Sequence, residues 1–94
     1  MAESKIQKQK KLHFKSKAIA TPNTAYNGWF SGYYDDTSIP SDVDVIIFNA
    51  ISHTDRNTIP VHASAFRSDS TVRIFAYSYH SSTDTVGVLY GYYY

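Results

Sequence analysis

The sequence predicts a small all-β domain, an antiparallel β-sandwich or open barrel of about six strands with a short basic N-terminal arm. Three observations carry that prediction. Segments of period-2 hydrophobic alternation recur at roughly ten-residue spacing, separated by turn chemistry rich in Pro, Asn, Asp and Ser. Beyond residue 11 no stretch shows apolar residues at convincing helical spacing. Nine tyrosines, five phenylalanines and one tryptophan stand in 94 residues with a single methionine, a composition that favours strands.

Residues 1–11 are rich in Lys and Gln, with Ile6 the only apolar side chain beyond Met1 and Ala2. That is too little to bury a helix face, so an exposed arm is expected, with the folded domain over residues 12–94. From Leu12 the pattern changes: Leu12, Phe14, Ser16 and Ala18 alternate with His13, Lys15, Lys17 and Ile19, as in a half-buried strand. Thr21-Pro22-Asn23-Thr24 is turn chemistry. A second strand is expected over Ala25–Ser31, where Gly28 suggests a bulge or a close backbone approach. Tyr33–Asp42 reads as a long polar loop entered through two tyrosines. Val43–Ile51 carries hydrophobes on both alternating sets and is expected to be a central strand covered on both faces. Ser52–Thr58 is a polar loop, and Ile59–Phe66 a strand whose start Pro60 keeps outside the ladder. The short turn Arg67–Ser70 then predicts an antiparallel hairpin with Thr71–Tyr79. His80–Asp84 is the next turn, and Thr85–Tyr94 the last strand.

Charge and motifs narrow the function. The chain is near neutral at +1, which argues against a dedicated nucleic-acid binder. Yet the lysines lie in residues 1–17 and seven aspartates lie beyond them, making the arm basic and the body acidic. No apolar run is long enough for a membrane helix. No hydrophobic segment follows the N-terminal lysines as an export signal would require, and no Asn-x-Ser/Thr sequon is present. The absence of cysteine excludes disulfides, thiolate metal sites and a cysteine nucleophile. There is no nucleophile elbow, phosphate-binding glycine loop or metalloprotease motif, and Glu3 is the only glutamate. The expectation is a protein that is not an enzyme and needs no cofactor.

Three clusters merit weighing. His53, Asp55, Arg56 and His62 lack metal-ligand spacing and read more simply as solvated loop residues. Asp35, Asp36, Asp42 and Asp44 could offer oxygen ligands to calcium, but the twelve-residue calcium loop is missing and turn chemistry explains them. The third cluster is more suggestive: Tyr26, Trp29, Tyr33 and Tyr34 stand beside Asp35 and Asp36. Aromatic faces stack on sugar C–H surfaces while carboxylates accept hydrogen bonds from hydroxyls. Trp29, Tyr33, Tyr34, Asp35 and Asp36 are therefore the candidate ligand-binding residues. Trp29 and Phe30 alternate on one strand, so one of them is expected to enter the core.

The short lysine-bearing lead-in, Gly28-Trp29-Phe30, Gly32-Tyr33-Tyr34, Ser38-Ile39-Pro40-Ser41 before the apolar strand, the hairpin and the tyrosine-rich end resemble small receptor-binding or tip (head) domains of bacteriophage tail fibre and baseplate proteins. The similarity covers residues 12–94 and is one of texture. It implies a compact β head that assembles as a homotrimer, attaches to a host cell-surface saccharide and contacts other virion tail proteins. The expected location is the virion tail, after synthesis as a soluble chain in the bacterial cytoplasm. The alternatives are a purely structural virion protein and a small lectin-like or nucleic-acid-binding β-barrel.

Overall fold

A computed structural model describes residues 10–54, 59–79 and 84–94. Residues 1–9, most of the expected arm, lie outside the described residues, as do 55–58 and 80–83. Two antiparallel sheets face each other. One has the order β1 (Leu12–Ala20), β7 (Thr85–Tyr93), β4 (Ile46–Ser52); the other has the order β2 (Asn23–Thr24), β3 (Phe30–Asp36), β6 (Thr71–Ser78), β5 (Val61–Ser68). The all-β sandwich expected from the sequence is the observed architecture.

The central strands show why. Along β6 the residues alternate without interruption, with Val72, Ile74, Ala76 and Ser78 buried and the residues between them half-buried. On β7 Val86, Val88 and Tyr90 point the same way, into the space between the sheets. Ile19, Ile39 and Ala63 complete the core. The β5–β6 hairpin closes through Asp69-Ser70, with Ser68 opposite Thr71 and Asp69 at φ 54°. The ladder begins at Val61, after Pro60, as the missing proline N–H requires.

Two expectations need correction. The strand expected over Ala25–Ser31 is β3, at Phe30–Asp36, so Tyr33–Asp36 belong to a strand and not to a loop. The cause is Asn27-Gly28: both have positive φ, 54° and 86°, and the Trp29 amide donates to the Tyr26 carbonyl at 3.0 Å. This type I′ turn folds Asn23–Thr24 back on Phe30–Ser31. Nor is the apolar strand central. β4 is an edge, paired with β7 alone. A register shift between Ile47 and Asn49 inserts Phe48 as a bulge and reverses the parity of the strand. Hydrophobes on both alternating sets reflect that reversal and not burial on two sides.

β1 is unusual in its polarity. Lys15 pairs with Tyr90 and Lys17 with Val88, so the basic set shares the inward side with Ile19 while Phe14 lies outside and is 62% exposed. What receives Lys15 is Asp36, a buried carboxylate on the opposing sheet, at 3.0 Å. Asp36 also accepts from the Tyr90 hydroxyl at 2.7 Å and from the Ser38 amide and hydroxyl at 2.9 and 2.7 Å; the Lys15 ammonium donates to Ser38 as well. Burial pushes this carboxyl up, but the Ser38, Tyr90 and Lys15 hydrogen bonds outweigh it and hold the pKa at about 2. Burial and the same carboxylate push the Tyr90 phenol up.

A second buried carboxylate lies immediately before β7. Asp84 accepts from the hydroxyls of Ser52 on β4 and Ser78 on β6, both at 2.7 Å, from the Thr85 amide at 2.7 Å, and from the Thr54 hydroxyl. Its backbone carbonyl takes the Thr21 amide at 2.9 Å. Burial opposes ionisation here too, and the hydroxyls of Ser78, Thr54 and Ser52 prevail, holding the pKa below the usual range.

Both depressed pKa values give stability that is complete above the unfolded value near 3.8 and is lost as the pH falls through the folded value. For Asp36 the loss should be on the order of 2 kcal/mol between pH 4 and 2, readable as a falling urea midpoint at constant slope. Asp84→Ala, which strips Ser78 and Thr54 of their shared acceptor, should lower stability at pH 7 by about 3 kcal/mol; a midpoint like that of the parent chain would contradict this account.

Candidate binding surface

The parity of β3 decides which candidate residues meet. Tyr33 lies opposite Phe75 and Asp35 opposite Arg73, on the side of the four-stranded sheet that faces away from the core. His62 on β5 lies opposite Tyr77, and Ser64 opposite Phe75. The rings form a row across three strands. Tyr33 and Phe75 have centroids 6.4 Å apart, Phe75 and Tyr77 6.3 Å at 25° between planes, and Tyr77 and His62 5.8 Å. Directly opposite cross-strand partners, and residues two apart on one strand, share a face and make such contacts.

The type I′ turn adds one end of this surface. It places Trp29 edge-on to Tyr79, 5.5 Å between centroids. A side chain at Gly28 would begin 2.8 Å from the Tyr79 ring, so the glycine provides both the turn conformation and the room for this packing. Tyr26, Trp29, His62, Ser64 and Tyr77 enclose an open depression of about 440 Å³. At the other end, Arg73 grips Asp35 through Nε at 2.8 Å and a terminal nitrogen at 3.0 Å. The same guanidinium lies 3.8 Å from the centroid of the Tyr33 ring, a cation–π geometry. The hydrogen bond from Arg73 holds the Asp35 carboxyl below its usual range, and the pair raises Arg73 in turn. A second depression, of about 400 Å³, runs from this pair along Phe66, Ser68 and Thr71.

Of the five candidates, Trp29, Tyr33 and Asp35 border this surface. Tyr34 and Asp36 face the opposite way. Tyr34 packs against the core with the Lys17 ammonium 4.5 Å from its ring centroid, and Asp36 is committed to Lys15, Ser38 and Tyr90. Trp29 and Phe30 are both half-buried, so neither is a full core residue. Sequence reasoning passed over Tyr77, Phe75, His62 and Arg73 as binding residues, although Phe75, Tyr77 and Tyr79 alternate against Val72, Ile74 and Ala76. What was missing was the neighbour that brings Tyr33 beside them.

The other clusters separate. His53 adjoins the three-stranded sheet, with its ring beside Gly87, whereas His62 is on the aromatic row, and Asp55 and Arg56 lie outside the described residues. Asp35 and Asp36 point to opposite faces, with Asp42 and Asp44 exposed beyond them. Among the described residues no three His, Asp or Glu side chains form a group able to hold a metal ion, and no helix is long and apolar enough to cross a membrane. No protein-family profile matches the chain, nor does any curated protein or solved structure.

The arrangement offers flat aromatic faces, an imidazole, a serine hydroxyl and a carboxylate–guanidinium pair on one exposed sheet. These are groups for stacking and hydrogen bonding. Because the Arg73 hydrogen bond is the chief influence on Asp35, Arg73→Ala should move the Asp35 titration upward toward 3.8 in a carboxyl-carbon NMR titration, with the Asp36 titration unmoved. An unchanged Asp35 curve would mean that the pair does not persist in solution.

Proposed function

We propose that this protein is a non-enzymatic binding module of the bacteriophage tail-fibre or baseplate type, which attaches to a host cell-surface saccharide through the outer face of its four-stranded sheet. The observation that carries the saccharide reading is the continuous row Tyr33, Phe75, Tyr77 and His62, flanked by Trp29 at one end and Asp35–Arg73 at the other. Sugar rings present C–H faces that stack on aromatics and a rim of hydroxyls that need both donors and acceptors. The row supplies the first, and Asp35, Arg73, Ser64 and His62 supply the second. The virion setting, with neighbouring tail proteins, rests on the sequence resemblance.

The surface is open, so much of a bound sugar stays in water and affinity per site is low. Several copies acting together raise it, through the homotrimer that the resemblance implies. Tyr34 and Asp36 have no part in the contact; Trp29, Tyr33 and Asp35 do, joined by Phe75, Tyr77, His62 and Arg73.

The test is binding of the full chain to bacterial wall polysaccharides and to a glycan array. Tyr33→Ala and Tyr77→Ala should each weaken binding to a positive glycan about tenfold, the equivalent of one aromatic stacking contact, while Tyr34→Phe leaves it unchanged. The saccharide should be recovered intact after prolonged incubation. Undiminished binding by the folded Tyr33→Ala/Tyr77→Ala double variant would remove this face from the site, and binding to no saccharide would favour the purely structural virion protein.

A further inference from the structure

The outer face of the three-stranded sheet has a different chemistry. β1 turns its basic residues inward and β4 reverses parity at Phe48, so the outward positions of all three strands carry no charged side chain at all. Phe14 is 62% exposed there, with Ile46, Phe48, Leu89 and Tyr93 also exposed. A solvated sheet face normally alternates polar residues outward, and a contiguous apolar face marks an interaction surface.

This face has relief. Gly91 on the central strand lies opposite Phe14 and Ile46. Without a side chain at Gly91, the rings of Phe14 and Phe48 meet across it, with centroids 5.4 Å apart; a Cβ there would sit 3.2 Å from the Phe48 ring. The result is an aromatic ridge. Four residues back, or about 13 Å along the strand, Gly87 lies in the floor of a hollow of about 330 Å³, walled by Ser16, Ala18, Asn49, Ile51 and Leu89, with Lys17 and His53 also lining it.

We infer that this face is the contact between copies of the chain, the Phe14–Phe48 ridge of one copy seated in the Gly87 hollow of another. A face whose outward strand positions are uncharged, with a ridge and a hollow at separate levels, is complementary to itself. Residues 1–9 are a poor cover, since their lysines and glutamines would have to be desolvated against Phe and Leu. The ridge-to-hollow relation closes as a pair about a twofold axis or as a ring of three about a threefold axis. Strands of nine, nine and seven residues give a footprint of roughly 400 Å² per copy, at the small end for protein interfaces, so the association is reversible and concentration-dependent. It stands independently of the saccharide reading, because it uses the opposite face.

Sedimentation equilibrium of the full chain, from about 1 to 200 µM, should show reversible assembly to two or three chains, the range in which small interfaces are populated. Phe14→Glu, which charges the ridge, and separately Ser16→Arg, which charges the hollow, should each weaken assembly by at least about tenfold. Both positions are exposed, so far-UV circular dichroism and the affinity of a single chain for a monovalent saccharide should not change; Phe14→Ser is the milder variant should Phe14→Glu fail to fold. A chain monomeric throughout the range overturns the inference, as does assembly indifferent to both charges. Deletion of residues 1–9 that newly exposes the face to a hydrophobic dye would overturn it in favour of the arm.

Discussion

Two buried carboxylates hold the sheets of this sandwich in register. Asp36 reaches from β3 to Tyr90 on β7 and Lys15 on β1; Asp84, at the entry to β7, gathers Ser52 from β4 and Ser78 from β6. They lie at the two ends of the β7 segment that carries Val86 and Val88 into the core. Each is ionised at neutral pH because several donors converge on it, and a buried charge lacking such donors would be strongly destabilising. The donors come from strands of both sheets, so the hydrogen bonds are complete only in one relative placement of those sheets. Apolar packing between Val, Ile and Ala tolerates small slides; converging donors on a carboxylate do not.

That constraint also sorts the aromatic residues. Of nine tyrosines, five phenylalanines and one tryptophan, Tyr90 alone belongs to the buried core, and its hydroxyl has Asp36 as acceptor. Val, Ile and Ala fill most of the rest of the core and Tyr34 and Tyr92 pack against its border, so most of the other large rings stand on the two outer faces. The faces then diverge chemically. On the four-stranded sheet the rings alternate with His62, Ser64, Asp35 and Arg73, a surface stable in water and suited to a hydroxyl-rich ligand. On the three-stranded sheet they stand among Leu, Ile, Ala and Gly, a surface suited to a dry contact. A largely apolar face of this kind is what the proposed contact between copies would cover.

The fold class was legible because β6 and β7 alternate strictly, and the β5–β6 hairpin because Asp69-Ser70 closes it between two such runs. The placement of Tyr34 and Asp36 was not. Their side depends on where β3 begins, and a strand read as Ala25–Ser31 leaves Tyr33–Asp36 in a loop, where all four can face one ligand. Asn27-Gly28 held the information, being a strong turn signal that also allows an interior glycine reading. Phe48 misled in another way: a bulge spreads hydrophobes over both parities, as a doubly covered strand does. Asp84 carries no signal in the sequence, because its partners Ser52, Thr54 and Ser78 are common turn and strand residues until the fold brings them together. His62 and Tyr77, 15 positions apart in sequence, adjoin only through the hairpin register.

The neighbouring residues Asp35 and Asp36 link the inner constraint to the outer surface. Asp36 fixes β3 from within, through Tyr90, Ser38 and Lys15. Asp35, one residue earlier and therefore on the other face, is set by the same strand position and meets Arg73, which in turn covers the Tyr33 ring. Tyr33, Asp35, Arg73, Phe75 and Tyr77 are thus held on paired strands, and a ligand arriving at them need not order a loop. For a shallow surface this matters more than for a deep pocket, since few contacts are available to offset any ordering cost. For the proposed saccharide contact, preorganisation by the buried clasp is what an open aromatic face would need in order to bind at all.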